Sequence, residues 1–300
     1  MRLLVTGANG QVGWELNRRL ISLGEVIALG RAQCDLAQPE RLPDIVRSIK
    51  PDVIVNAAAY TAVDKAEQEE ELAFTVNGKS VGALAEEARR AGALLIHYST
   101  DYVFDGNKSA PYSEEDTPCP INAYGRSKLA GERAVPHAAD GYIILRTSWI
   151  YAARGRNFLQ TVLRLARERE ELQIVCDQVG APTWARDIAE ATALVVQTAI
   201  RERREGRFAS GLFHMTASGA ASWYDFAAAI LEHGNAYGLL SAARRPRLYA
   251  ITSEQYRLPA ARPKNSRLAG DRLRERFGIV LPDWREALPL CLKEIKACEP

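Results

Sequence analysis

The feature that most constrains this chain is its opening: an apolar run, Leu3-Leu4-Val5-Thr6, ends on Gly7-Ala8-Asn9-Gly10-Gln11-Val12-Gly13, and a segment of helical period begins inside the glycines. Glycines in that place let the backbone turn sharply between a strand and a helix and approach closely to whatever lies outside the sheet. The helix N-terminus adds unpaired N–H groups and the positive end of its dipole, which suits an anion such as a pyrophosphate. The same alternation continues downstream. Strand-like runs at 3–6, 26–29, 53–57, 94–98 and 143–146 are separated by helical periods over 11–23, 39–49, 70–91 and 122–135, with further helical stretches at 157–169, 186–204 and 222–233. That pattern predicts an α/β chain: a doubly wound parallel sheet covered on both faces and joined by right-handed crossovers.

Beyond Arg146 the rhythm breaks, with turns at Ala153-Arg154-Gly155 and Gly180-Ala181-Pro182 and with Pro246, Pro259 and Pro263 in the stretch 241–266. The expected division is a dinucleotide-binding domain of residues 1–151 plus roughly 182–215, and a smaller mixed α/β substrate lobe of 152–181 and 216–300. Three hundred residues, 47% hydrophobic and 25% charged, can bury a large core. Lys plus Arg number 39 against 37 acidic residues, a balance that gives no field suited to nucleic acid or an anionic membrane. The first apolar run is too short for a signal peptide and no run reaches membrane-spanning length. Five cysteines without CxxC pairing suit a reducing cytoplasm, and four histidines without ligand spacing leave no metal to assign.

In such a sheet the end of the second strand selects the dinucleotide, because an acidic side chain there accepts from a ribose 2′-OH and repels a 2′-phosphate. Leu29-Gly30-Arg31 stands at that place. The guanidinium of Arg31 predicts a preference for NADPH with NADH still accepted, the alternative being a plain surface arginine. Asp35-Leu36 would lie beside the adenine. Tyr124 and Lys128, four apart in a helical segment, project from one face and stand one βαβ unit beyond Ser99-Thr100-Asp101 at the C-terminal end of the fourth strand, where open α/β sheets bind ligands. A phenol is a poor proton carrier at neutral pH. The Lys128 ammonium and the charge of an oxidised nicotinamide are expected to lower the Tyr124 pKa toward the range useful for acid catalysis, with Thr100 orienting a substrate carbonyl.

These residues make the chain resemble the extended short-chain dehydrogenase/reductases, and within them the family of dTDP-4-dehydrorhamnose reductases. The glycine turn and YxxxK carry the broad likeness. The blocks Ala57 to Asp64 and Thr100 to Gly106 narrow it, supported by Arg146-Thr147-Ser148-Trp149, Asp177 to Thr183 and Arg262 to Ser266. The resemblance implies that Gly10, Gln11 and Val12 contact the pyrophosphate, that Asp35 and Leu36 flank the adenine, and that Ala59, Tyr60 and Thr61 line the cofactor path. It implies a catalytic set of Thr100, Tyr124 and Lys128, with Tyr124 and Lys128 also contacting the cofactor, Thr100 and Asp101 touching the sugar and Trp149 packing on the substrate. The implied reaction is hydride delivery from the nicotinamide to C4 of dTDP-4-dehydro-6-deoxy-L-mannose with a proton from Tyr124, giving dTDP-L-rhamnose. Some relatives are dimers bridged by Mg²⁺ through glutamates; Glu15 is suitably placed, but Arg186 stands where an acidic partner would be wanted. A monomer or a homodimer is expected.

Two residues carry alternatives. Arg262 either pairs with the substrate diphosphate or serves its loop structurally, and Trp149 either stacks on the ligand or fills a core. Two other functions share these motifs. A nucleotide-sugar epimerase or dehydratase would have the same turn and YxxxK, but a dehydratase needs an Asp-Glu pair after the threonine and here Asp101 is followed by Tyr102. An NADP-binding regulatory subunit would have no need of Thr100, Tyr124 and Lys128 together.

Overall fold

The computed structural model describes residues 1–241 and 246–298, so the expected second lobe includes 242–245 and 299–300, which lie outside the described residues. Its centre is built as the alternation predicts. β1 (Arg2–Thr6), α1 (Gln11–Arg19), β2 (Glu25–Leu29), α2 (Leu42–Ile49) and β3 (Val53–Asn56) come first. α3 (Ser80–Ala91), β4 (Leu94–Thr100), α4 (Ala123–Ala138) and β5 (Tyr142–Thr147) complete the repeating units. A sixth strand, β6 (Gly211–His214), pairs in parallel with β5 at the sheet edge. Sequence reading missed it because four residues carry too little periodicity. The order is β6-β5-β4-β3-β1-β2, every neighbouring pair parallel, so the chain reverses direction across the sheet between β1 and β3.

Alternate residues of each strand feed two cores. Val5, Ile96 and Leu145 pack with Leu16 of α1 and with Ile188 and Val195 of α5 (Ala185–Arg204) on one face. Leu4, Ile54, Leu95 and Ile144 pack with Val46, Leu84 and Val135 on the other. All seven residues of β4 are buried. A separate apolar cluster joins Tyr151, Leu159, Trp184, Phe226, Leu288 and Leu292 beside the sheet. It draws on α6 (Trp223–Ala236) and α7 (Trp284–Cys298), the latter not anticipated from the sequence. Leu273, Ile279 and Leu281, late in the chain, return to the core of the sheet itself.

One expected helix is interrupted. The stretch 70–91 is helical throughout, but a π-helical turn, Thr75–Lys79, separates Glu70–Phe74 from α3. The turn contains Asn77 and Gly78, poor helix formers, and brings the Asn77 carbonyl so close to Gly131 of α4 that no side chain fits there. No helix among the described residues is long and apolar enough to cross a membrane.

Candidate active site

The glycine turn lies where the sheet reverses. Gly7 adopts φ +72, and a Cβ on it would stand 2.7 Å from the Ala58 nitrogen, so only glycine lets the ends of β1 and β3 approach this closely. Gly13 packs its α-carbon against the Gly7 carbonyl with no space for a methyl group. Gly10 caps α1 in extended conformation and offers no side chain to its first N–H groups. A helix start so left open, at a reversal of strand order, fits a dinucleotide pyrophosphate. The Gln11 side chain accepts a 2.9 Å hydrogen bond from Asn157, which ties the turn to the segment before the next helix, Phe158–Glu168.

Around this turn the other expected cofactor residues are arrayed unevenly. Arg31 is 76% exposed just past β2 and pairs with Asp35 at 3.3 Å. Asp35 also accepts from the Ala37 N–H, and the Leu36 side chain is buried in the core over α2. Past β3, Ala59 is half-buried and Thr61 exposed. The Tyr60 backbone is clamped at both ends by the Asn77 side chain, at 2.9 and 3.0 Å, and its phenol donates to Glu69. Asn77 was not singled out from the sequence. Buried to 1%, it also donates to Ser127, joining the Tyr60 loop to α4. The signal was present as an Asn-Gly pair inside an otherwise strong helical period.

Thr100, Asp101, Tyr124 and Lys128 converge at the end of β4. Asn122 caps α4 by accepting from the Gly125 N–H at 2.7 Å, which fixes where the Tyr124 turn begins. The Thr100 hydroxyl donates to Asp101 at 3.0 Å and hydrogen-bonds the Tyr124 phenol. Lys128, 3% exposed, donates to the Tyr98 carbonyl at 2.6 Å. The expected lowering of the Tyr124 pKa is reversed in this arrangement. Burial pushes the phenol up to about 12, against a smaller opposing effect of the Thr100 bond, and the nearby Asp101 raises it further. Lys128 does not offset this, because burial pulls its own pKa down to about 8 and its ammonium is engaged with Tyr98. Asp101 is itself pushed up to about 7 by burial, and its Oδ2 has no hydrogen-bond partner.

The remaining expected contacts reach across to the second cluster. Trp149 follows β5 with φ +48, a left-handed conformation that a bulky side chain adopts only under constraint. Its ring stacks on Trp223 at 3.5 Å and 2°, and its N–H donates to Ser266. One indole face is thus committed to protein. Arg262 pairs with Asp64 at 2.9 Å and donates to the Ala260 carbonyl, so it bridges the late loop to the helical turn Val63–Ala66. Trp223 and Ser266 had no individual sequence signal.

Glu15, the residue suited to a bridging metal ion, sits in an ion-pair cluster around Arg186. Glu15 is buried against the Arg186 guanidinium at 3.5 Å, and Arg186 also reaches Glu294 at 2.6 Å and lies over Trp184. Within a single chain the described residues contain no group of three or more His, Cys, Asp or Glu side chains placed to hold a metal ion.

A glycine cradle at the strand reversal, together with a Thr-Tyr-Lys set on β4 and α4, defines a dinucleotide-dependent oxidoreductase of the short-chain type. The model of the RmlD substrate binding domain family matches residues 1–297. The chain is 55% identical to a dTDP-4-dehydrorhamnose reductase of Burkholderia thailandensis, covering 98% of this chain and 99% of that one, and 46% identical to that of Escherichia coli over 98% of each. The crystal structure of the Bacillus anthracis reductase in complex with NADP superposes with a TM-score of 0.87 at 34% identity, over 98% of this chain and 99% of that one. A Thermus thermophilus UDP-glucose 4-epimerase, 18% identical with a TM-score of 0.80, shares the fold. The chain belongs to the dTDP-4-dehydrorhamnose reductase family.

Proposed function

We propose that this chain reduces the C4 ketone of dTDP-4-dehydro-6-deoxy-L-mannose to dTDP-L-rhamnose, with NADPH as reductant and NADH as a poorer substitute. It is an oxidoreductase acting on a nucleotide-sugar ketone. The observation that carries the reading is the meeting of Thr100, Tyr124 and buried Lys128 at the end of β4, in a chain whose family relatives carry that activity over their full length. NADPH, when bound, supplies the hydride. The N–H groups of Gly10, Gln11, Val12 and Gly13 hold its pyrophosphate, with Gly7 shaping the turn, and Arg31 faces the 2′-phosphate from the rim of β2. Asp35 and Leu36 border the adenine, and Ala59, Tyr60 and Thr61 border the path toward the reacting end.

Tyr124 holds the proton that the reduced oxygen needs. A phenol kept near 12 is fully protonated at neutral pH, the form a reductase requires before the alkoxide develops. The Lys128 ammonium, mostly charged below pH 8, stabilises the phenolate left behind. Thr100 orients the carbonyl, Asp101 and Trp149 contact the sugar, and Arg262 borders the diphosphate while bound to Asp64. The protein works in the cytoplasm as a monomer or a homodimer, with no nucleic acid or membrane partner.

Incubating the purified chain with NADPH and the 4-keto dTDP-sugar tests this reading. Loss of nicotinamide absorbance with dTDP-L-rhamnose as product is expected. Tight NADPH binding without turnover would favour a regulatory subunit, and a C4-epimeric product would move the chain to another nucleotide-sugar reductase.

A further inference from the structure

Four residues past Lys128, on the same buried face of α4, stands Glu132. Both its oxygens are taken by Arg146 of β5, at 2.8 and 2.7 Å, and the two side chains are only 4% and 3% exposed. Behind Arg146 lies the His214 ring of β6, 3.5 Å from the guanidinium, and the His214 backbone N–H donates to Glu114 at 2.7 Å. Phe104, in the loop after β4, covers the guanidinium face at 5.0 Å. A desolvated ion pair of this kind gains little stability over apolar residues of the same shape, so its place beside the reacting helix calls for another explanation.

The surroundings of Lys128 supply one. Tyr124 and Glu132 lie one turn to either side of Lys128 on α4, His97 of β4 feels its charge, Arg146 of β5 braces Glu132, and uncharged Asn77 of the π-helical turn meets α4 at Ser127. His97 is held neutral by burial and by the Lys128 charge itself, and its Nδ1 meets the Asn56 amide. Among the described residues Glu132 is the carboxylate one helical turn from the ammonium on the buried face of α4, and its charge opposes the effect of burial there. We propose that Glu132 is a positioning residue for the reduction: braced by Arg146 one helical turn from Lys128, its carboxylate keeps the buried ammonium charged while the Tyr98 carbonyl holds it in place. This rests on the reading of Tyr124 and Lys128 as the reacting pair.

The test measures Lys128 directly, by NMR titration of the chain labelled with ¹³Cε-lysine, alongside the pH profile of kcat. Glu132→Gln is expected to weaken Lys128 proton affinity at least ten-fold and to move the alkaline limb of kcat to lower pH by the same amount. Glu132→Asp restores most of both. Should Glu132→Gln fail to fold around an unpaired Arg146, the double variant Glu132→Gln with Arg146→Gln is expected to shift Lys128 in the same direction by a smaller amount, because the more distant Arg146 cation is lost as well. A wild-type Lys128 titration in either folded variant would overturn the proposal. A shifted Lys128 in a chain that turns over no 4-keto sugar would uphold the link between Glu132 and Lys128 and overturn the reductase reading.

Discussion

The cofactor turn and the sugar side of the site are built from different materials. Around Gly7, Gly10 and Gly13 the binding surface is backbone, and its shape depends on side chains being absent. On the proposed sugar side, Thr100, Asp101, Trp149 and Arg262 are side chains from segments spread along the chain, each held by another: Asp101 by Thr100, Trp149 by Trp223 and Ser266, Arg262 by Asp64. Changes at the turn should therefore act on cofactor affinity and backbone strain. Changes on the sugar side should act on protonation, substrate affinity and rate.

The sharpest separation is expected at Tyr124. Tyr124→Phe removes the proton-donating hydroxyl and leaves the pyrophosphate cradle intact, so kcat should fall about 10³-fold. NADPH affinity measured by fluorescence should stay within two-fold or so, because the lost group acts on the transition state. Gly13→Ala tests the opposite side. The new methyl group has to displace the Gly7 carbonyl, an overpacking cost of about 1–3 kcal/mol that should weaken NADPH binding by up to roughly 100-fold. Substrate KM at saturating NADPH should change little.

Asp101 gives a pH test that no residue of the turn can give. Its carboxyl is raised from an ordinary value near 3.8 to about 7, so the folded protein favours the neutral acid. The stability from that preference is complete below pH 4 and is lost as the pH rises toward 7. Asp101→Asn should flatten urea stability between pH 5 and 8 by on the order of 2 kcal/mol. An unchanged slope would show that the carboxyl is ionised throughout.

Smaller effects are expected at the margins. Trp149→Ala loses the stack on Trp223 and should raise KM for the sugar nucleotide about ten-fold while leaving NADPH affinity alone. Arg31 is exposed and its pair with Asp35 is weak, so Arg31→Ala should cost only about three- to ten-fold in NADPH affinity, with NADH unaffected. An unchanged NADPH to NADH ratio would remove Arg31 from the cofactor surface.

The same division explains what could be read from the sequence. A backbone site announces itself locally: a strand, a glycine pattern and a helix start occupy thirteen consecutive residues, and Tyr124 and Lys128 share one helix. Thr100 and Asp101 were legible because strand ends in such sheets carry chemistry. Trp223 and Ser266 were not, because each acts through Trp149 across a long stretch of chain, and no short-range spacing encodes such a contact; Asn77 showed only as an Asn-Gly pair in a helical period. The direction of the Tyr124 shift was misread for a related reason. The sequence places an ammonium four residues away but does not reveal that burial dominates both groups, or that Lys128 is bound to the Tyr98 carbonyl.

The central claim, that this site passes hydride to C4 while Tyr124 protonates the oxygen, is tested most directly with NADPH carrying deuterium at the transferring position of its nicotinamide. The account predicts dTDP-L-rhamnose with deuterium at C4 from the wild-type chain, and almost no labelled product from a Tyr124→Phe chain that still binds the nucleotide. Deuterium retained in the nicotinamide, or equal labelling of product by both chains, would contradict it.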